Sequence, residues 1–201
     1  MTPTPVRISP LSTLLQGYAL APPGAERGTA MDLAFCDVSG FRRCVFKGKG
    51  AAAYLTEADV TLPEKINGVV GLEGGGLVAR TGAAEWLVEE PPCPPILGGP
   101  YLYPAPGASF LLSGTRASDI LLETCNVDLR APGADLVMTR IAGVSCYILH
   151  RTLNGIPAYQ VWTDASYAHY LGETLLEIIH EHNGGVAGVS CYFPEVMLPQ
   201  T

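Results

Sequence analysis

His180-Glu181-His182 sets two imidazoles around a carboxylate, the residue types from which metal sites and proton relays are made. The spacing does not serve that chemistry, because residues two apart project to different sides of a helix. The triplet is therefore not the His-Glu-x-x-His pattern that grips one zinc ion. At the end of a helical stretch, His180 and His182 instead favour the helix dipole. His150 closes a strand-like run and His169 falls on a helix surface, so no metal site is expected. The six cysteines (Cys36, Cys44, Cys93, Cys125, Cys146 and Cys191) include no Cys-x-x-Cys pair and no zinc-like spacing. They read as reduced core thiols. Cys125, with Asp128 nearby, is the most suggestive nucleophile. It lies just past a helix, where the dipole raises a thiol pKa, so packing is the better role. No Gly-x-Ser-x-Gly elbow is present, and Gly48-Lys49-Gly50 lacks the length and the Ser/Thr of a phosphate loop. It reads as a plain strand-to-helix turn.

The elements that would carry these groups are clearest between residues 110 and 182. Phe110-Leu111-Leu112-Ser113 is a strand stopped by Gly114, and residues 117–123 are helix formers. Runs 137–141 and 144–150, joined by Ala142-Gly143, read as a hairpin; 158–163 is a third strand after the turn Asn154-Gly155-Ile156-Pro157. Asp164 or Ser166 then caps a helix whose Leu171, Leu175, Ile178 and Ile179 recur at helical spacing. Asn183-Gly184-Gly185 ends it. Upstream, strands are expected at 33–38, 41–47, 68–72, 77–80 and 85–89, with a helix over 51–58.

The two halves look related. Phe46-Lys47-Gly48 before Ala51-x-x-Tyr54-Leu55 parallels Leu112-Ser113-Gly114 before Ala117-x-x-Ile120-Leu121. The pattern implies an α+β fold of pseudo-duplicated antiparallel sheets with amphipathic helices. The chain divides into an extended N-terminal arm (1–30), a first α+β half (31–90), a Pro-rich connector (91–107), a second α+β half (108–193) and a C-terminal tail (194–201). Leu11, Leu14 and Leu15 sit in an arm rich in proline and need cover, which an extended arm laid across a partner would give. Pro91, Pro92, Pro94, Pro95, Pro100, Pro104 and Pro106 make the connector stiff. The hexapeptide Ala142-Gly-Val-Ser-Cys-Tyr147 recurs at 187–192. Its alternation suits a strand in both places, so a last strand is expected at 186–193.

A net charge of −7, from 12 Lys and Arg against 19 Asp and Glu, argues against nucleic acid as a partner. Only 15% of the residues are charged and 48% are apolar, which leaves surface for another protein to cover. No signal-peptide core is found at the start, and no apolar run approaches the roughly 20 residues that span a bilayer. A cytoplasmic protein with no membrane association is expected.

Residues 117–129 (Ala-Ser-Asp-Ile-Leu-Leu-Glu-Thr-Cys-Asn-Val-Asp-Leu), 155–163 (Gly-Ile-Pro-Ala-Tyr-Gln-Val-Trp-Thr) and 167–171 (Tyr-Ala-His-Tyr-Leu) carry a resemblance. They are similar to the folate-binding aminomethyltransferase superfamily, and most of all to the gamma subunits of heterotetrameric sarcosine oxidases, through Cys125-x-x-Asp128-Leu129. Ile8 to Leu11, Gly48 to Leu55, Leu62-Pro63 with Asn67, and Arg80 to Val88 support it in order. The family's catalytic Asn-Asp-Val is met only in part by Ala58-Asp59-Val60. In its Gly-Glu-x-Gly-Tyr-Glu segment the two Glu fall on Ile156 and Gln160 and the second Gly on Ala158, leaving Gly155 and Tyr159. An apolar Ile156 cannot accept the pterin N–H groups, whose donors would stay unpaired.

The resemblance thus implies a non-catalytic structural subunit with no catalytic, cofactor or metal residues of its own. Its complex would oxidatively demethylate sarcosine or a related N-methyl amino acid. FAD, FMN, NAD, zinc and tetrahydrofolate are expected in the larger flavin- and folate-binding partner subunits. Two alternatives stand beside this reading. One is a stand-alone aminomethyltransferase using Asp59; the other is a small-molecule binding module using the gap between the halves.

Overall fold

The computed structural model describes residues 8–22, 24–90, 101–105, 107–130 and 135–195. In chain order the elements are α1 (Ser12–Leu15), α2 (Glu26–Asp32), β1 (Ala34–Asp37), β2 (Arg42–Lys47), α3 (Ala51–Glu57), β3 (Val69–Gly71), β4 (Leu77–Gly82) and β5 (Glu85–Glu90). They continue as β6 (Leu102–Pro104), β7 (Ala108–Ser113), α4 (Ala117–Thr124), β8 (Val137–Ile141), β9 (Val144–Leu153), β10 (Ile156–Thr163), α5 (Ala168–Glu181) and β11 (Gly185–Val186). One sheet has the order β11-β1-β7-β10-β9-β8, the other β3-β4-β5-β2-β6. Among the described strands only β1 and β11 pair in parallel.

Strand alternation sets the layers. On β7, which is buried throughout, Phe110 and Leu112 point to α4 and α5, while Leu111 points to the opposite face. α5 lays Ala168, Leu171, Leu175, Leu176 and Ile179 on the first sheet. Asp164 accepts a hydrogen bond from the Ser166 N–H at 2.8 Å, capping the 3-10 turn that leads into this helix. Asn183 (φ 59°) then reverses the chain, and the Gly184 N–H returns to the Ile179 carbonyl at 2.8 Å. In the second sheet Cys44, Phe46, Val78 and Val88 face Ala51 and Leu55 of α3. Its other face, with Leu77, Ala79 and Leu87, meets Leu149 and Trp162 of the first sheet. The layers are therefore helices, sheet, sheet, helix. The fold is the α+β arrangement of two largely antiparallel sheets that the sequence implies. Gly48 (φ 120°) and Gly114 (φ 98°) make the same turn from β2 into α3 and from β7 into α4.

The N-terminal segment corrects the arm expectation. Residues 8–22 and 24–30 are not extended over open space; α1 and α2 lie on the chain's own first sheet. Leu11 is fully buried against α5, where a Cβ on Gly172 would come within 2.6 Å of its Cδ2. Leu14 and Leu15 pack on the same cluster. The Ala21 N–H donates to the Val186 carbonyl at 2.9 Å, and the Gly188 N–H to Glu26 Oε1 at 2.6 Å. The leucines find cover in the gap that Gly172 leaves.

Sheet membership also departs from the sequence division. β1, counted with the first half, pairs with β7 and β11 in the first sheet. β6, inside the 91–107 connector, pairs with β2. Residues 91–100, 106 and 196–201, and so most of the connector and the tail, lie outside the described residues. β10 starts at Ile156 rather than Ala158, and His150 lies within β9 rather than at its end. The last strand stops after Gly185–Val186 and gives way to a 3-10 turn at Val189–Cys191. Ala187, Tyr192 and Phe193 instead cap a cluster with Ala30, Phe41 and Ile156.

Candidate functional site

The two sheets meet through a buried polar cluster. Glu89 of β5 is 1% exposed. Its Oε1 accepts from the Gln160 amide and its Oε2 from the Trp162 indole N–H, both on β10. Residues 160 and 162 share a face of β10 because they are two apart. Arg151 of β9 donates to Gln160 Oε1 at 2.7 Å and to the Gly75 carbonyl at 3.0 Å. Arg43 of β2 donates to the carbonyls of Ala105 at 3.1 Å and Ala108 at 3.2 Å. Burial pushes the Glu89 carboxyl above the ordinary glutamate value, against the pull of Trp162, Arg43, Arg151 and Gln160. Burial also lowers the Arg151 guanidinium, and Glu89 opposes that shift. At 1% exposure the Glu89 carboxylate has no path to a solute. The cluster binds sheet to sheet.

Beside it the sheets diverge into a cleft of about 540 Å³. Its walls are Val45 and Leu87 from the second sheet and Met138, Tyr147 and Trp162 from the first. Thr81, Glu85, Arg140, Ser145 and Asp164 bring polar groups to it. This is the gap between the sheets in which a small-molecule module would work.

The family's site positions scatter. Asp59 sits exposed in left-handed conformation (φ 59°) just after α3 and does not line the cleft. Ile156 is buried among Ala30, Ala34, Leu111 and Tyr192. Gly155 (φ 77°) completes the β9–β10 turn with Asn154. Tyr159 points to the helix side, where its hydroxyl donates to the Leu129 carbonyl at 3.0 Å. Only Gln160 reaches the seam between the sheets. Cys125 is buried with its Sγ 3.7 Å from Thr139 Oγ1, and Asp128 is exposed and paired with Arg130 at 2.6 Å. The Arg130 side chain holds the Asp128 carboxyl down at about 2. The His150 ring lies tilted against Tyr159 with centroids 5.0 Å apart, His169 is 4.0 Å from Glu173, and His182 pairs with Glu123 at 3.0 Å. Among the described residues no group of three or more His, Cys, Asp or Glu converges as metal ligands do. No helix of the described residues is long and apolar enough to cross a membrane. The sequence reading missed Glu89 and Arg151; both look like ordinary surface charges on alternating strands, and no local signal marks them as buried.

No protein-family model matches the sequence, and no curated protein matches it. Solved structures do. The architecture is that of the aminomethyltransferase-type folate-binding domains. Glycine cleavage system aminomethyltransferase T from Bartonella henselae shares it at a TM-score of 0.67 and 14% identity, over 94% of this chain and 61% of that one. A chain of heterotetrameric sarcosine oxidase from Corynebacterium sp. U-96, solved in complex with pyrrole 2-carboxylate, matches at a TM-score of 0.70 and 18% identity. That match covers 90% of this chain and 98% of the other. Both neighbours come from the groups to which residues 117–129, 155–163 and 167–171 are similar, and at these identities what is shared is the fold.

Proposed function

We propose that this chain is a structural, non-catalytic subunit of a multi-subunit flavin-dependent complex of the sarcosine oxidase type. That complex oxidatively demethylates sarcosine or a related N-methyl amino acid. The chain braces the larger flavin- and folate-binding subunits, which carry FAD, FMN, NAD, zinc and tetrahydrofolate. The observation that carries this reading is the structural match to a sarcosine oxidase chain, which covers 90% of this chain and 98% of that one. The fate of the folate positions supports it. Ile156 offers no acceptor, and Gln160 spends its amide and carbonyl on Glu89 and Arg151. The aminomethyltransferase alternative would need Asp59 at a ligand, and Asp59 lies outside the cleft.

The test is gentle affinity purification from the native host, read by mass spectrometry and visible absorption. Co-purification with larger chains and a flavin band is expected. A colourless chain eluting alone overturns the reading, and tetrahydrofolate titration would then decide for or against a folate enzyme.

A further inference from the structure

The cleft between the sheets has a chemistry that bracing does not use. Two side-chain rows face each other across it. Met138, Tyr147 and Trp162 are cross-strand neighbours on β8, β9 and β10, and Val45 and Leu87 are neighbours on β2 and β5. About 540 Å³ lies between them, inside the roughly 300–1,000 Å³ of small-molecule pockets. Trp162 and Leu87 form a fixed apolar floor, whereas Met138, 60% exposed, is a pliable lip.

The charges around the cleft are unequally engaged. Glu85 is held by Lys47 at 2.8 Å and by the Thr81 hydroxyl at 2.9 Å. Asp164 accepts from the Ser166 N–H at 2.8 Å and hydroxyl at 2.6 Å. Arg43 is directed into the main-chain carbonyls of Ala105 and Ala108. The Arg140 side chain, exposed on β8 opposite Ser145, makes no hydrogen bond or ion pair with any described residue. Glu85 is thus ion-paired with Lys47, Asp164 is hydrogen-bonded by Ser166, and the Arg140 guanidinium is left over. An apolar slot with a spare guanidinium at its mouth suits a ligand with an apolar body and one negative end.

We propose that this cleft binds a small amphipathic carboxylate, its apolar body between Val45, Leu87, Tyr147 and Met138 and its carboxylate on Arg140. The site does not depend on the subunit reading, and each can fail without the other.

The test titrates the full chain with hexanoate, 3-phenylpropanoate and 4-phenylbutyrate, with 3-phenylpropanol as the uncharged control, by calorimetry and tryptophan fluorescence. At least one acid is expected to bind saturably and at least tenfold tighter than the alcohol. Arg140→Gln should remove that preference. Ser145→Tyr, which fills the mouth, should abolish binding, and Arg116→Gln, outside the cleft, should leave it unchanged. All three positions are at least partly exposed, and circular dichroism checks their folding. No saturable binding of any of the acids, equal binding of acid and alcohol, or wild-type binding by Arg140→Gln overturns the proposal.

Discussion

Glu89 and Trp162 stand on facing sheets, and the indole N–H of Trp162 donates to Oε2 of the buried Glu89 carboxylate. With Gln160 donating to Oε1, one side chain of β5 receives both polar side chains that β10 turns toward the second sheet. Within the apolar contact of the two sheets, Glu89 is thus an acceptor with both oxygens occupied.

Replacing Glu89 by Gln should be far more costly than its near-identical shape suggests. A carboxamide has one acceptor and one donor end, so either Gln160 or Trp162 would face another N–H. A loss of about 3 kcal/mol is expected in denaturant unfolding, typical of a broken buried charged contact. A change under about 1 kcal/mol would remove Glu89 from this role.

The same residue sets a pH dependence. Its folded pKa is raised from the ordinary 4.5, so between 4.5 and the folded value the native state holds more protons than the unfolded one. The contribution of Glu89 is full below 4.5 and is lost as pH rises through its folded pKa. Stability measured across that window should fall with rising pH in wild type, and Glu89→Gln should flatten this component.

The two tryptophans should respond differently to Phe. Trp86 Nε1 is buried with no hydrogen-bond partner among the described residues, so Trp86→Phe removes an unpaired donor and is expected within about 1 kcal/mol of wild type. Trp162→Phe takes a donor from a buried carboxylate and should cost about 2–3 kcal/mol. Equal costs in thermal or urea unfolding would contradict the assignment.

Leu11→Ala should destabilise the whole domain by about 3 kcal/mol, the usual cost of truncating a fully buried leucine. If 8–16 were a free arm, the variant would unfold like wild type, and limited proteolysis would cut there first.

Glycine turns provide an internal control. At Gly114 a Cβ would lie 2.1 Å from the Asp32 carbonyl oxygen, so Gly114→Ala should cost more than about 3 kcal/mol. At Gly143 (φ 82°) nothing lies within 4 Å, and Ala should cost about 1 kcal/mol of backbone strain alone.

Much of the fold is legible along the chain because its signals are local. The turns at Ala142-Gly143 and Asn154-Gly155, both in left-handed conformation, fix two hairpins, and the spacing of Leu171, Leu175 and Ile179 fixes α5. The seam was hidden for the opposite reason. Glu89 and Gln160 are 71 residues apart, and neither has a neighbour in sequence that marks it as buried. Gln160 reads as a degraded folate position until its partners on β5 and β9 are seen.

The repeated hexapeptide separates the two kinds of information. Sequence alone determined that Ala142 to Tyr147 turns and then runs as a strand, since Ala142-Gly143 supplies the hairpin turn and β9 follows at once. The identical residues 187–192 have the same propensities yet form an irregular link and a 3-10 turn. There, Glu26 takes the Gly188 N–H, Ser113 meets the Tyr192 hydroxyl at 2.6 Å, and Ala187 joins the cluster beneath α2. Local propensity is worth tenths of a kcal/mol per residue, whereas burying a large side chain is worth about 2 kcal/mol. Where the two disagree, tertiary packing decides.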